Sequence, residues 1–176
     1  MNPGFVKRMK ISVSQCVYLR DKFEVYNEKI VRNGDKMRTN KVLYYTGMTM
    51  SMLMGVWHFF VPWMFQWYSY IPSEYEVLKV SINWVNLCFS LFLFGISLIM
   101  LLWGKKVLAY NKEAITIYGF LVTVWIFRVI IAVVNPCPPE ANVWLSYGQF
   151  VGSILIMIMM LIPFIRIMKE SMKNKG

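Results

Sequence analysis

The amino-acid sequence predicts an all-α integral membrane protein, a bundle of four transmembrane helices. The first observation is composition: 57% of the 176 residues are hydrophobic and only 16% are charged, whereas a soluble domain carries about a quarter charged residues. The second is distribution, since the charges gather in the first 42 residues, in the tail and in short patches between apolar runs. Four of these runs approach or exceed the roughly 20 residues that cross a hydrocarbon core about 30 Å thick.

The chain divides into three parts. Residues 1–42 form a basic segment, residues 43–167 a transmembrane domain and residues 168–176 a basic tail. The transmembrane domain contains four predicted spans, at about 43–70, 78–103, 115–134 and 144–167. We therefore expect a multi-pass protein of the cell membrane, in contact with membrane lipids.

The distribution of Lys and Arg predicts the orientation. Residues 1–42 carry ten Lys or Arg against four Asp or Glu, a net charge of +6. The loop at 104–114 is net +2 and the tail from Arg166 is net +3, whereas the two opposite loops together are net −2. Because basic loops stay in the cytoplasm, both termini are predicted to be cytoplasmic. This topology accounts for the formal charge of +10, so we expect no nucleic-acid partner.

The basic segment is predicted to contain an amphipathic helix. Five apolar residues follow the 3-4 spacing of one helical stripe: Cys16, Leu19, Phe23, Tyr26 and Ile30. Asn33-Gly34 is a stop signal, so a short link into the first span is expected. The helix either lies on the anionic membrane surface or packs on the protein's own inner loops.

Small residues at four-residue spacing predict where the spans approach one another. Span 1 carries Gly47, Ser51 and Gly55, and span 4 carries Gly148 and Gly152. Small side chains let two helix backbones come close inside a membrane. We predict that all five positions lie at helix–helix contacts.

Each span also carries a polar group near one common depth. His58, the only histidine, lies on span 1, and Arg128 is the charge deepest inside a span. At about 1.5 Å per residue, both lie roughly 20 Å above the inner boundary, level with Asn86 on span 2 and Gln149 on span 4. Asn83 lies slightly higher. This polar layer falls in the outer half of the membrane, and the inner half is predicted to be almost wholly apolar.

Charged residues are expensive in a membrane and commonly mark function. We predict a non-enzymatic protein whose outer-leaflet pocket binds an amphipathic, anionic small molecule or lipid, alone or as an accessory subunit of a larger complex. Arg128 attracts the anionic head, Asn83 and Asn86 orient it, and His58 and Gln149 add hydrogen-bonding groups. Three tryptophans are predicted to complete the site: Trp57, Trp63 and Trp125. The structural alternative is that Arg128 snorkels outward or is clamped by the two asparagines.

Two other classes stay open. In a membrane enzyme, His58 acts as general acid or base on a lipid or quinone-like substrate while Arg128 stabilises negative charge. In a transport or channel subunit, the small chain assembles with itself or with a membrane-protein partner. Neither a cofactor nor a metal is predicted, because one histidine cannot supply two haem ligands and the three cysteines lack metal-type spacing.

Three short patterns carry a family resemblance. Trp-His-x-x-x-Pro-Trp at 57–63, Asn-x-x-Asn at 83–86 and Trp-x-x-Arg at 125–128 resemble small four-span bacterial membrane proteins of uncharacterised families. The layout is similar to that of the DoxX-like four-helix group. The resemblance covers residues 43–167 at the level of topology and implies a helical bundle without implying an activity.

Overall fold

The computed structural model describes residues 13–136 and 143–173, and within these ranges it contains helices and no strand. The α-helices are α1 (Val13–Met64), α2 (Glu76–Leu102), α3 (Gly104–Leu108), α4 (Lys112–Val134) and α5 (Val143–Lys173). Two 3₁₀ turns, Trp67–Ser69 and Ser73–Tyr75, lie between α1 and α2. The all-α prediction is confirmed.

Four helices are long and apolar enough to cross a membrane. Among the described residues these candidate spans are Gly34–Ser69, Ser73–Leu102, Lys112–Val134 and Tyr147–Lys173. They overlap the four predicted spans, so the chain has the architecture of a multi-pass membrane protein. The cytoplasmic placement of both termini and the identity of the membrane stay predictions.

The predicted link between the basic segment and the first span is wrong. α1 is one helix from Val13 to Met64 and passes through Asn33 and Gly34 without a break. A single glycine inside a helix costs only about 1 kcal/mol relative to alanine, which a long helix can absorb. Phe23 and Tyr26 of the predicted apolar stripe are exposed; the side chains of its other three members lie outside the described part of the chain.

The chain separates into two compact units, residues 1–39 and 40–176, and the bundle lies in the second. Its helices bury heptad seams, in which buried positions alternate between steps of three and four residues. On α1 the buried seam is Tyr44, Met48, Ser51, Gly55, His58 and Pro62. On α2 it is Asn86, Ser90, Leu93, Ser97 and Met100, and on α5 Ser153, Ile156, Met160, Pro163 and Ile167. This repeat keeps one face of each helix toward its partners, as in coiled-coil-like bundles.

Close contacts establish which helices are neighbours. A Cβ added at Gly55 of α1 would lie 2.6 Å from the backbone nitrogen of Phe94 on α2. A Cβ at Gly47 would lie 3.0 Å from the Cγ of Met160 on α5. α4 packs on both α2 and α5. The four long helices therefore form a ring in the order α1, α2, α4, α5, with α1 facing α4 across the centre.

The small residues predicted to mediate packing differ in their surroundings. The three on α1 are all buried. On α5, a Cβ at Gly152 would make ordinary contact with Met54, at 3.8 Å, whereas one at Gly148 would meet nothing within 4 Å. Within the described part of the chain, the close approach therefore occurs along α1 and not at Gly148.

The half of the bundle nearer α3 is more polar than predicted. Tyr44 and Tyr118 are fully buried, and their rings meet edge to face with centroids 5.0 Å apart. The Tyr44 hydroxyl donates to the carbonyl of Met100 at 2.6 Å, and the Tyr118 hydroxyl donates to that of Met160 at 2.7 Å. A buried hydroxyl with such a partner does not carry the cost of an unmade hydrogen bond. The prediction of an almost wholly apolar half is wrong for this reason.

A second polar tier follows two helical turns, about 10 Å, further along α1 and α4. The hydroxyl oxygens of Ser51 and Ser97 lie 2.8 Å apart, and the indole N–H of Trp125 donates to Ser51 at 2.9 Å. All three side chains are almost completely buried. Three helices are thereby joined at the centre, and the bundle is closed at this level.

The contact at Gly55 gives a test of the packing. We expect Gly55→Ala to lower the free energy of unfolding by about 1–3 kcal/mol, because the added methyl group meets the backbone of α2 and forces the helices apart. Gly95→Ala is the matched control, since a Cβ there meets nothing within 4 Å. Thermal unfolding in detergent micelles measures the difference. Equal midpoints for the two variants would contradict the close approach of α1 and α2.

Candidate functional site

The third polar tier borders open space, unlike the first two. It lies two turns beyond Ser51, at His58, and brings together one side chain from each long helix: His58, Asn86, Arg128 and Gln149. We call these four residues the open tier. Two cavities border it, and His58, Trp67 and Arg128 line both of them.

The two cavities extend to different sides of the bundle. The smaller has a volume of about 440 Å³, and its other lining residues are on α2: Ser81, Ile82, Val85, Asn86 and Phe89. The larger has a volume of about 650 Å³ and extends along α4 and α5. Its walls include Val61, Phe65, Ile131, Ala132, Tyr147, Gln149, Phe150 and Ser153. Both volumes fall within the roughly 300–1,000 Å³ typical of small-molecule sites.

The walls of both cavities are mostly apolar and contain a few polar groups. Among the described residues that line either cavity, Arg128 is the one charged side chain. His58 and Asn86 lie at the buried end of the walls, with exposed fractions of 9% and 7%. An apolar lining with a small number of convergent polar groups is the usual composition of a ligand-binding pocket.

Pro62 explains why Asn86 belongs to this tier. Proline has no N–H, so the carbonyl of His58, four residues earlier, does not receive its usual helical hydrogen bond. The side-chain amide of Asn86 donates to this carbonyl at 2.9 Å. Ser90 in turn donates to the backbone carbonyl of Asn86 at 2.6 Å. The amide therefore replaces the missing backbone donor and joins α1 to α2 at the site.

The chain reverses directly after α1 and brings Trp67 to the cavities. Gln66 adopts the left-handed conformation, with φ 50° and ψ 39°, the backbone geometry that commonly ends a helix. The 3₁₀ turn Trp67–Ser69 follows, and the Ser69 hydroxyl donates to the carbonyl of Gln66 at 2.7 Å. As a result Trp67 forms part of the wall shared by both cavities.

The His58 ring is positioned by an aromatic neighbour. It meets the ring of Phe89 on α2 edge to face, with centroids 5.2 Å apart. Aromatic pairs favour this arrangement because the positive edge of one ring faces the negative face of the other. His58 is thus fixed at two points on α2, by Phe89 through its ring and by Asn86 through its carbonyl.

Half of the residues predicted to bind a ligand line a cavity, namely the four of the open tier. Asn83 lines neither, and its side-chain oxygen accepts a hydrogen bond from Tyr68 at 3.0 Å. Trp125 is 2% exposed and belongs to the closed second tier. Trp57 and Trp63 also lie outside both linings, and Trp63 is 65% exposed.

The residues of α2 that line the smaller cavity, apart from Asn86, were not among those predicted to form the site. Ile82, Val85 and Phe89 share one helical face with Asn86 through steps of three and four residues, and this period could have identified them. Trp67 was also not among the residues predicted to form the site. Its place in the site depends on the reversal at Gln66, and glutamine is not a residue that predicts a left-handed conformation.

Comparisons with protein-family models, with curated proteins and with solved structures find no significant match to this chain. The resemblance to the DoxX-like group therefore stays a prediction. The fold and the site place the chain in a class defined by architecture: four-helix membrane proteins with an apolar, arginine-containing recess at one end of the bundle.

The role assigned to Asn86 is open to a double-mutant test. We expect Asn86→Leu to lower the free energy of unfolding by about 1 kcal/mol, the usual contribution of a buried hydrogen bond. In a Pro62→Ala background the same substitution has a smaller effect, because residue 62 then supplies its own N–H to the His58 carbonyl. Unfolding in detergent micelles measures all four proteins of the cycle.

Asn83→Leu serves as the control for this cycle. Its hydrogen bond with Tyr68 does not involve the His58 carbonyl, so its effect on stability is the same with proline or alanine at position 62. An Asn86→Leu effect that is equally large in both backgrounds would show that Asn86 does not replace the missing donor.

Proposed function

We propose that the open tier is a binding site for an amphipathic, anionic small molecule or lipid that enters from the membrane. The observation that carries this proposal is the position of Arg128, the one charge among the described residues lining two mostly apolar cavities. An apolar recess with a single cation matches a ligand that has an apolar body and an anionic head.

The surroundings of Arg128 strengthen its attraction for an anion. Charge–charge interactions are stronger where water is partly excluded, and the recess lies among helices with little polar surface. Hydrogen bonds between a guanidinium and a carboxylate or phosphate are about twice as strong as neutral ones. His58 and Gln149 add neutral hydrogen-bonding groups to the same recess, which can orient a head group.

The closed tiers support binding over conduction through a single chain. Toward α3 the interior is filled by Ser51, Ser97 and Trp125 and then by the two buried tyrosines, all of them 2% exposed or less. The recess therefore ends against packed side chains. A ligand has access to the open tier from one end and from the lipid-facing sides.

His58 provides the observation behind a second candidate function. It lines both cavities beside Arg128, so a bound lipid or quinone-like substrate could exchange a proton with its ring while Arg128 stabilises negative charge. The two functions differ in the effect of His58→Gln. This variant abolishes turnover in an enzyme, whereas a binding protein shows no turnover even with His58 intact.

Binding selectivity tests the proposed function. In native mass spectrometry of the detergent-purified protein, we expect phosphatidylglycerol to be retained in preference to phosphatidylcholine. Arg128→Gln should reduce retention of phosphatidylglycerol about tenfold or more, because a hydrogen bond to a charged group contributes about 1.5–3 kcal/mol.

Arg166→Gln is the matched control. It removes the same charge from α5, where Arg166 donates to Asn40 at 2.8 Å and lines neither cavity. This variant should keep the wild-type preference. A folded Arg128→Gln protein that retains phosphatidylglycerol as the wild type does would overturn the proposed function.

A further inference from the structure

The two cavities, called here the smaller and the larger lobe, have part of their lining in common. The smaller and larger cavities share only His58, Trp67 and Arg128. The rest of the smaller lobe comes from α2, whereas the rest of the larger lobe comes mainly from α4 and α5. Arg128 therefore forms part of the wall of both lobes.

Apart from the three shared residues, both lobes are lined chiefly by apolar side chains. Ile82, Val85 and Phe89 line the smaller lobe, and residues such as Val61, Ile131 and Phe150 line the larger one. A polar head group has its best partners at the shared residues, while each lobe suits an apolar chain. Burial of apolar surface stabilises such a chain in proportion to the area removed from water.

Both lobes reach the lipid-facing surface of the bundle. Val85 in the smaller lobe is 71% exposed, and Ile131 in the larger lobe is 44% exposed. They lie on helices apolar enough to span a membrane, so we expect this exposed surface to face hydrocarbon. An acyl chain can enter each lobe sideways from the bilayer without crossing water.

We propose that the ligand is an anionic lipid with two acyl chains, its head group at Arg128 and one chain in each lobe. This inference rests on the proposed function and specifies its ligand. Two lobes on either side of shared residues suit a ligand with two chains, and the charge of Arg128 in both linings suits an anionic head group.

Filling one lobe at a time tests the inference. Ile82→Trp reduces the volume of the smaller lobe, and Ala132→Trp reduces that of the larger lobe. The probes are phosphatidylglycerol and lysophosphatidylglycerol, which share a head group and differ in having two chains or one. We expect either substitution to weaken binding of the two-chain lipid about tenfold or more. The one-chain lipid keeps its binding in each single variant and loses it in the double variant.

Control variants place the same tryptophan on lipid-facing positions outside both lobes. Leu91 on α2 and Ile130 on α4 are 60% and 50% exposed, and neither lines a cavity. Leu91→Trp and Ile130→Trp should bind both lipids as the wild type does. Thermal unfolding identifies any variant that fails to fold, and Ile82→Phe and Ala132→Leu then replace the tryptophan variants.

The outcomes separate this inference from the proposed function. If Arg128→Gln reduces binding of both lipids but a folded lobe-filling variant still binds phosphatidylglycerol fully, the ligand uses one lobe and the two-chain inference is overturned. If Arg128→Gln leaves both lipids bound, the proposed function itself fails.

Discussion

The hydrogen bond from Asn86 to the carbonyl of His58 holds together the end of the bundle at which both cavities lie. In hydrocarbon, a backbone carbonyl without a donor costs several kcal/mol, because no water can replace the missing partner. Pro62 creates this situation on α1, and the Asn86 amide resolves it from α2. The His58 ring also meets Phe89 on α2 edge to face. The geometry of the recess thus depends on a backbone group as much as on the side chains that line it.

The heptad seams give the interior its tiered order. Tyr44, Ser51 and His58 recur at intervals of two helical turns on α1, and each meets polar or aromatic partners on the facing helices. In the first two tiers the hydroxyl and indole groups find partners within the protein, so these levels pack closed. The third tier contains larger polar side chains, and the chain reverses close to it, directly after α1. At this level there is open space between the ends of the helices. The closed tiers form a rigid base for the open one.

Several features of the site could be predicted from the sequence. Counting residues at the helical rise placed His58, Asn86, Arg128 and Gln149 at one depth, and in the structure these four line the recess. Their ligand-binding role stays a prediction. The buried tyrosines were missed because their partners are backbone carbonyls, which a sequence does not distinguish from one residue to the next. Trp125 was predicted to belong to the site, but its indole lies in the closed second tier, where it donates to Ser51. The helix break predicted at Gly34 is not found in α1, because a single glycine is a weak signal for a break within a long helix.

The exposure of Val85 and Ile131, which line the smaller and the larger cavity, bears on how the proposed lipid ligand would reach the site. A ligand that arrives sideways is already dissolved in the bilayer, so its effective concentration is its mole fraction among the surrounding lipids and not its concentration in water. Occupancy then follows changes in membrane composition directly. Under the proposed function, such a recess would report on the lipid mixture in which the protein resides.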